Sequence, residues 1–263
     1  MVKRITTYFS LLLLLLGVFS CGNDDDVSPN DTPSDIEQTN SFSTIEVLHD
    51  ATINIYNGDF GVSNGVEFTI EGKTLKINNY STEKQINISI NALKGISTGD
   101  RAIINFPNGF INSAKDLDIH SGNDSKLSAQ FLEIDHLHMH IGDRPIITVA
   151  SIAAHCLKLY LGHDANVFLS QNDSNYAFIK ELEIKKNNGN DRFRLNNEIA
   201  PNLIVPVEKL TLDIGHDTYV NAVVTKEVKG YTKDRSQIIL YDSDEAKINL
   251  TQGSESSVTK KNI

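Results

Sequence analysis

Tryptophan is absent from this 263-residue chain, aromatic residues make up only 7% of it, and its two cysteines are Cys21 and Cys156. Two cysteines cannot form the disulfide framework that stabilises many small secreted domains. Sugar-binding sites often use exposed aromatic platforms, so the scarcity of aromatic residues weakens the case for a carbohydrate-binding module without excluding it. The chain also lacks a P-loop, a Rossmann glycine fingerprint, a nucleophile elbow and a His-Glu-x-x-His motif.

Basic residues are outnumbered, with 24 Lys and Arg against 34 Asp and Glu, which gives a formal net charge of −10. An acidic surface repels phosphate backbones and anionic headgroups. The charge therefore argues against a nucleic-acid partner and against direct adsorption on anionic lipid.

Long apolar runs are missing apart from residues 5–20, which contain six consecutive leucines at 11–16 and follow Lys3 and Arg4. A transmembrane helix needs about 20 consecutive apolar residues, so this run is too short to span a bilayer. A charged start, a short apolar core and small residues at its end are typical of a secretory signal peptide.

The segment Val18-Phe19-Ser20-Cys21 resembles a lipobox. The resemblance implies that residues 1–20 are a lipoprotein signal peptide and that Cys21 is the site of lipid attachment, since its thiol takes a diacylglyceryl group and the new amine takes an acyl chain such as palmitate. Two or more chains anchor a protein stably to a membrane. The alternatives are an ordinary secretory signal with a chance cysteine, or an uncleaved anchor.

Residues 22–41 are rich in Asp, Ser, Asn, Pro and Thr and begin with the run Gly22-Asn23-Asp24-Asp25-Asp26. Such a composition predicts a disordered tether with a root-mean-square reach of about 25 Å. The acidic run resembles the export tag of surface-exposed lipoproteins in some Gram-negative groups. We therefore expect an outer-membrane protein that faces outward, with a periplasm-facing anchor as the alternative.

The remaining residues, 42–263, are dominated by short strand signals. Five segments align, each with the pattern Leu-x-apolar; they begin at Leu117, Leu137, Leu157, Leu182 and Leu210. In four of them a glycine follows five places after the leucine, at Gly122, Gly142, Gly162 and Gly215. A repeat of about 20–30 residues with strands and Gly, Asn or Asp turns predicts a β-solenoid, in which stacked coils share one core. We expect these glycines to supply the positive φ of each corner. A β-sandwich is the alternative.

Several segments, in their order along the chain, resemble the auto-transporter adhesin, head GIN domain family. They are residues 42–47, 66–68, 72–77, 88–90, 102–104, 210–215, 220–223, 236–241 and 257–260. The resemblance spans roughly residues 42–260 and implies an all-β, right-handed parallel β-helix with an adhesive or structural role. Departures occur at the corners, where the Ser-Gly pair of the family survives only at Ser121-Gly122, so any ligand held by those corners is in doubt.

The most suggestive cluster of candidate ligands is His136, His138 and His140. On a strand these imidazoles share one face, with neighbours about 6.8 Å apart. Two of them could chelate a metal if another ligand closed the site. The simpler interpretation is an outward polar row without a metal.

Catalysis on polysaccharides is a further alternative, because parallel β-helices can carry carboxylates that converge on one groove. The strand-region carboxylates fall at scattered registers instead; they are Asp116, Asp118, Glu133, Asp135, Glu181, Glu183, Asp213 and Asp217.

Cys156 is the one cysteine left in the chain once Cys21 carries lipid. It is interpreted as a small buried apolar residue rather than a reactive thiol.

Together the patterns predict a lipid-anchored, non-enzymatic envelope protein without a cofactor, with an adhesin-like or structural surface role. Its expected partners are the membrane, through Cys21, and a host-surface, glycan or envelope-protein ligand. A glycan- or metal-binding protein and a polysaccharide-active enzyme stay open as alternatives.

Overall fold

The computed structural model describes residues 42–48, 50–79, 85–172, 177–186 and 192–263. The predicted signal peptide 1–20, the lipid site Cys21 and the tether 21–41 lie outside the described residues. From Phe42 onward the described residues belong to one compact unit, Asn40–Ile263.

Short strands make up the described part of the chain, which has no α-helix and only one 3-10 turn, at Pro201–Leu203. Within it, no helix is long and apolar enough to cross a membrane. The strands are β1 (Thr44–Val47), β2 (Thr52–Tyr56), β3 (Gly61–Val62), β4 (Glu67–Glu71), β5 (Thr74–Asn79), β6 (Gln85–Ser89), β7 (Gly95–Thr98), β8 (Ile103–Phe106), β9 (Phe110–Ile111), β10 (Asp116–Ser121), β11 (Lys126–Ala129), β12 (Leu132–Ile141), β13 (Ile146–Val149), β14 (Ile152–Leu161), β15 (Asn166–Leu169), β16 (Ala177–Lys186), β17 (Arg194–Leu195), β18 (Pro206–Ile214), β19 (Tyr219–Thr232), β20 (Gln237–Tyr241), β21 (Lys247–Gln252) and β22 (Ser257–Lys261).

Parallel pairing between successive coils stacks these strands into three faces around a common core. Face 1 contains β5, β1, β7, β10, the second halves of β12, β14, β16 and β18, the end of β19, and β21. Face 2 contains β6, β2, β8, β11, β13, β15, β17, the start of β19, β20 and β22. Face 3 is narrow and contains β9 with the remaining parts of β12, β14, β16, β18 and β19. The predicted parallel β-solenoid is confirmed.

The leucine repeat forms a single column of the core. Leu117, Leu137, Leu157, Leu182 and Leu210 pair in direct register on face 1 and are all buried. Along each strand the next residue faces outward, because side chains alternate between the two sides of a sheet. No single coil can cover its own apolar side, so the core exists only when the coils stack.

The order of the first coils differs from the simple succession that the repeat predicts. The coil that contains β5 and β6 lies outermost at the N-terminal end of the solenoid, although it comes after β1 and β2 in the chain. The coil of β1 and β2 lies between it and the coil of β7 and β8. Outside it, β4 pairs antiparallel with β5 and β3 pairs antiparallel with β6. The chain thus doubles back over the N-terminal end of the solenoid and covers an edge that would otherwise present unpaired backbone groups.

The prediction that the corner glycines supply positive φ is wrong. At the corner between face 1 and face 2, positive φ belongs to the residue two places after Gly122, Gly142 or Gly162, for example Arg144 with φ 57°. The glycines serve close stacking instead. A Cβ on Gly162 would overlap Asp143 Oδ1 of the preceding coil and lie 2.8 Å from Asp143 N.

Charges alternate along this corner from one coil to the next. The residues at the positive-φ position are Asp50, Arg101, Asp124, Arg144, Asp164, Arg192, Asp217, Arg235 and Glu255. Several pairs are bidentate, as between Arg144 and Asp124, whose two hydrogen bonds are both 2.6 Å long. The hydrogen bond from Arg144 lowers the pKa of the Asp124 carboxyl. Exposed pairs contribute little individually, but the alternation avoids stacking like charges about 4.8 Å apart.

An amide ladder runs along face 2 near the N-terminal end. Asn54 is buried; its amide donates to Gln85 Oε1 at 2.9 Å and to Asn87 Oδ1 at 2.8 Å, and its carbonyl oxygen accepts from Asn105 at 2.9 Å. Ser128 continues the ladder by donating to Asn105 Oδ1 at 2.7 Å. Equivalent residues of four coils therefore satisfy one another.

Replacement of Gly162 by alanine tests the stacking role of the corner glycine. Because the added methyl group has no space beside Asp143, we expect Gly162→Ala to lower the free energy of unfolding by about 1–3 kcal/mol in urea denaturation. The control is Gly61→Ala, since a Cβ there meets nothing closer than 3.9 Å. A change within about 0.5 kcal/mol is expected for that variant. Equal destabilisation of both variants would contradict the stacking role.

Replacement of Asn54 tests the amide ladder. The Asn54→Ala variant leaves the side chains of Gln85, Asn87 and Asn105 without this partner, and we expect a loss of about 1–3 kcal/mol in the free energy of unfolding. Asn249→Ala is the matched control, because Asn249 is exposed and makes one 3.3 Å hydrogen bond to Glu227. If thermal melting showed the two variants to be equally stable, the ladder would not contribute to stability.

Candidate functional site

Most of the His, Cys, Asp and Glu side chains that are candidates for a functional site lie on the outer surface of face 1. They form three rows that run along the solenoid axis. Row A contains Asp116, His136, Cys156, Glu181, Lys209, Glu227 and Lys247. Row B contains Asp118, His138, Lys158, Glu183, Thr211, Lys229 and Asn249. Row C contains His120, His140, Tyr160, Lys185, Asp213, Tyr231 and Thr251.

The three candidate metal ligands lie on one outward face, as their spacing predicts, but each contacts a different partner in a neighbouring coil. His136 Nδ1 is 2.8 Å from Asp116 Oδ1, and His138 Nδ1 is 3.1 Å from Asp118 Oδ1. His140 stacks on aromatic rings instead. Across the described residues, no group of three or more His, Cys, Asp or Glu side chains is arranged to hold a metal ion.

Row C begins with a stack of three rings. The centroid of the His140 ring is 4.8 Å from that of His120 and 4.4 Å from that of Tyr160, with planes within 7° of parallel. Burial, and secondarily the charge of His120, lowers the pKa of His140, which favours the neutral imidazole within the stack. Lys185 Nζ lies 5.8 Å from the centroid of the Tyr160 ring. Because the ring faces cover one another, this stack does not offer the open face on which a sugar would lie.

Cys156 is in row A, half-buried and facing outward, so its interpretation as a core residue is wrong. Its neighbour Leu157 occupies the inward position, and the two-residue period of a strand then directs Cys156 to the outer surface. Burial raises the pKa of its thiol, with Lys158 partly opposing this effect. The protonated form is therefore favoured, which argues against a reactive nucleophile.

A shallow groove of about 240 Å³ crosses rows A and B. Its charged lining residues are three lysines and three glutamates: Lys158, Lys209, Lys229, Glu181, Glu183 and Glu227. The short side chain of Thr211 lies among these longer ones in row B. The sequence places Glu181 and Glu183 on either side of Leu182 but does not group them with the other lining residues, because Glu227 and Lys229 come from a coil beyond the five aligned segments.

The groove does not have the electrostatics of a glycosidase centre. Lys209 Nζ donates to Glu181 Oε1 at 3.0 Å, and this hydrogen bond lowers the pKa of Glu181. A general acid in glycoside hydrolysis requires the opposite shift. Glu183 forms an ion pair of 2.6 Å with Lys185. Asp217, another of the carboxylates that the sequence offers for catalysis, lies at the corner between face 1 and face 2, where it forms an ion pair with Arg235.

Neither a family model nor a curated protein matches the chain in sequence. Its membership of the head GIN domain family therefore stays a prediction.

Three crystal structures of bacterial proteins have a similar fold. A "putative adhesin" from Parabacteroides merdae matches with a TM-score of 0.61 at 12% identity, over 84% of this chain and 92% of that one. A "putative adhesin" from Bacteroides fragilis matches with a TM-score of 0.52 at 14% identity, over 85% and 93%. A "putative lipid binding protein" from Parabacteroides distasonis matches with a TM-score of 0.57 at 12% identity, over 84% and 93%. At these identities the similarity shows a shared fold.

Proposed function

We propose that this chain is a lipid-anchored protein of the bacterial cell envelope, displayed at the outer-membrane surface in a non-enzymatic, adhesin-like or structural role. Its N-terminal sequence supports the anchor, through the lipobox-like segment that ends at Cys21. The names of the structural neighbours, two with the name "putative adhesin" and one with the name "putative lipid binding protein", are compatible with a role at the cell surface.

One observation carries the non-enzymatic part of the proposal: many polar side chains of the outer surface pair with their equivalents in the next coil. Asp116 contacts His136, Glu181 contacts Lys209, and Arg235 contacts Asp217. These pairs are repeated along the axis instead of converging on one reacting centre. A long scaffold with such a surface can present contacts over many coils, as a surface protein that adheres or supports other components requires.

Loss of the proposed lipid is tested by Cys21→Ser. We expect this variant to take up no radiolabelled palmitate in cells and to leave the membrane fraction, because the acceptor thiol is missing. Cys156→Ser is the matched control and should keep both the label and the membrane location. Palmitate labelling of the Cys21→Ser variant, or an unlabelled native chain, would refute the anchor.

Surface display and adhesion are tested on intact cells. We expect proteinase K added outside to remove the domain, and we expect cells that lack the protein to bind less to epithelial or mucin-coated surfaces. Re-expression of the native chain should restore binding, whereas Cys21→Ser should not, since the released domain no longer links the cell to its target. Full protection from the protease, together with unchanged binding of the deletion strain, would rule out an outward adhesive role.

A further inference from the structure

Three phenylalanines form an exposed aromatic cluster at the N-terminal end of the solenoid, here called the aromatic cap: Phe42, Phe60 and Phe68. The ring centroids of Phe42 and Phe60 are 5.0 Å apart, and those of Phe60 and Phe68 are 6.2 Å apart, both in edge-to-face geometry. Such pairs are favourable beyond the area they bury. Phe68 pairs with Ile77 across the antiparallel β4–β5 ladder, so the cap covers the end of the core.

Covering the core leaves much of two rings in solvent. Phe42 is 6% exposed, but Phe60 is 40% exposed and Phe68 39% exposed. Val62, Val66 and Ile70 are partly buried against the same end of the core. The result is an apolar end surface, and contiguous exposed apolar surface usually marks a site of interaction.

The position of the cap relative to the anchor indicates what covers it. The described chain begins at Phe42, a member of the cap, and residues 22–41 separate it from Cys21. The tether that the sequence predicts over these 20 residues would have a root-mean-square reach of about 25 Å. Face 1 continues away from the cap through β1, β7, β10, β12, β14, β16, β18, β19 and β21, which is about 43 Å at 4.8 Å per strand. On average, an anchored lipid would therefore lie closer to the cap than to the opposite end.

We infer that the aromatic cap docks on the phospholipid interface of the membrane that holds the anchor, so that the solenoid stands with its N-terminal end on the bilayer. This inference rests on the proposed lipid anchor. Phenylalanine is among the residues that insert at the boundary between headgroups and acyl chains when an apolar surface lies on a membrane. The charged groups of β4 include Glu67 and Glu71, the latter paired with Lys76. Lys73, in the turn between β4 and β5, is also exposed, so this hairpin carries two acids and two lysines, which suits a zwitterionic lipid surface.

The test uses the chain from Cys21 to Ile263 with Cys156→Ser, coupled through the Cys21 thiol to a maleimide lipid in phosphatidylcholine vesicles. Phe60→Trp introduces the only tryptophan, and Tyr231→Trp provides a control of equal exposure, 40%, at a distant coil. We expect the emission of Trp at position 60 to shift to shorter wavelength on coupling and to be quenched by brominated acyl chains. The control at position 231 should show neither change.

Other outcomes overturn the inference. No shift at position 60 would mean that the cap faces water, and equal quenching at both positions would mean that the domain lies on its side. A shift caused by deleting residues 22–41 without vesicles would mean that the tether itself covers the rings. Chemical coupling bypasses cellular lipidation, so failure of the anchor in cells and failure of the docking are distinguishable. Phe68→Trp, examined in the same way, checks that a positive result is not confined to one substitution.

Discussion

The structure depends on one constraint: successive coils stack in parallel and in register, about 4.8 Å apart. Each side chain therefore lies directly beside its equivalent in the next coil, and every position of the repeat becomes a column. An inward column must fill the core, and Leu117, Leu137 and Leu157 do so with leucine in each coil. An outward column must avoid placing like charges or unpaired polar groups beside one another.

The outward columns meet this demand in different ways. The corner alternates acid and arginine, face 2 links amides such as Asn54 and Asn105, and row C stacks the rings of His120, His140 and Tyr160. In each case the partner of a polar side chain belongs to a neighbouring coil. The imidazoles of His136 and His138, for example, each contact a carboxylate of the neighbouring coil.

The two ends of the solenoid are not equivalent. At the N-terminal end the antiparallel strands β3 and β4 cover the edge, and Phe60 and Phe68 close the core. At the other end β21 and β22 each have a single pairing partner among the described strands, and Ile248 and Leu250 are only partly buried. The described chain enters at the covered end, which gives the solenoid a defined direction.

Much of the coil pattern could be read from the sequence, because a column in space is also a repeat along the chain. The spacing of the leucines predicted the register of face 1, and the alternation of Asp124, Arg144 and Asp164, each two places after a corner glycine, is equally visible in the sequence. The prediction of a buried Cys156 was wrong, although the inward position of its neighbour Leu157 implies that Cys156 faces outward. By contrast, only the tertiary structure decided the order of the first coils, the groove around Thr211, and the meeting of Phe42, Phe60 and Phe68. These features involve residues outside the five aligned segments. Periodicity fixes which side a residue faces but not which non-repeating segments fold against each other.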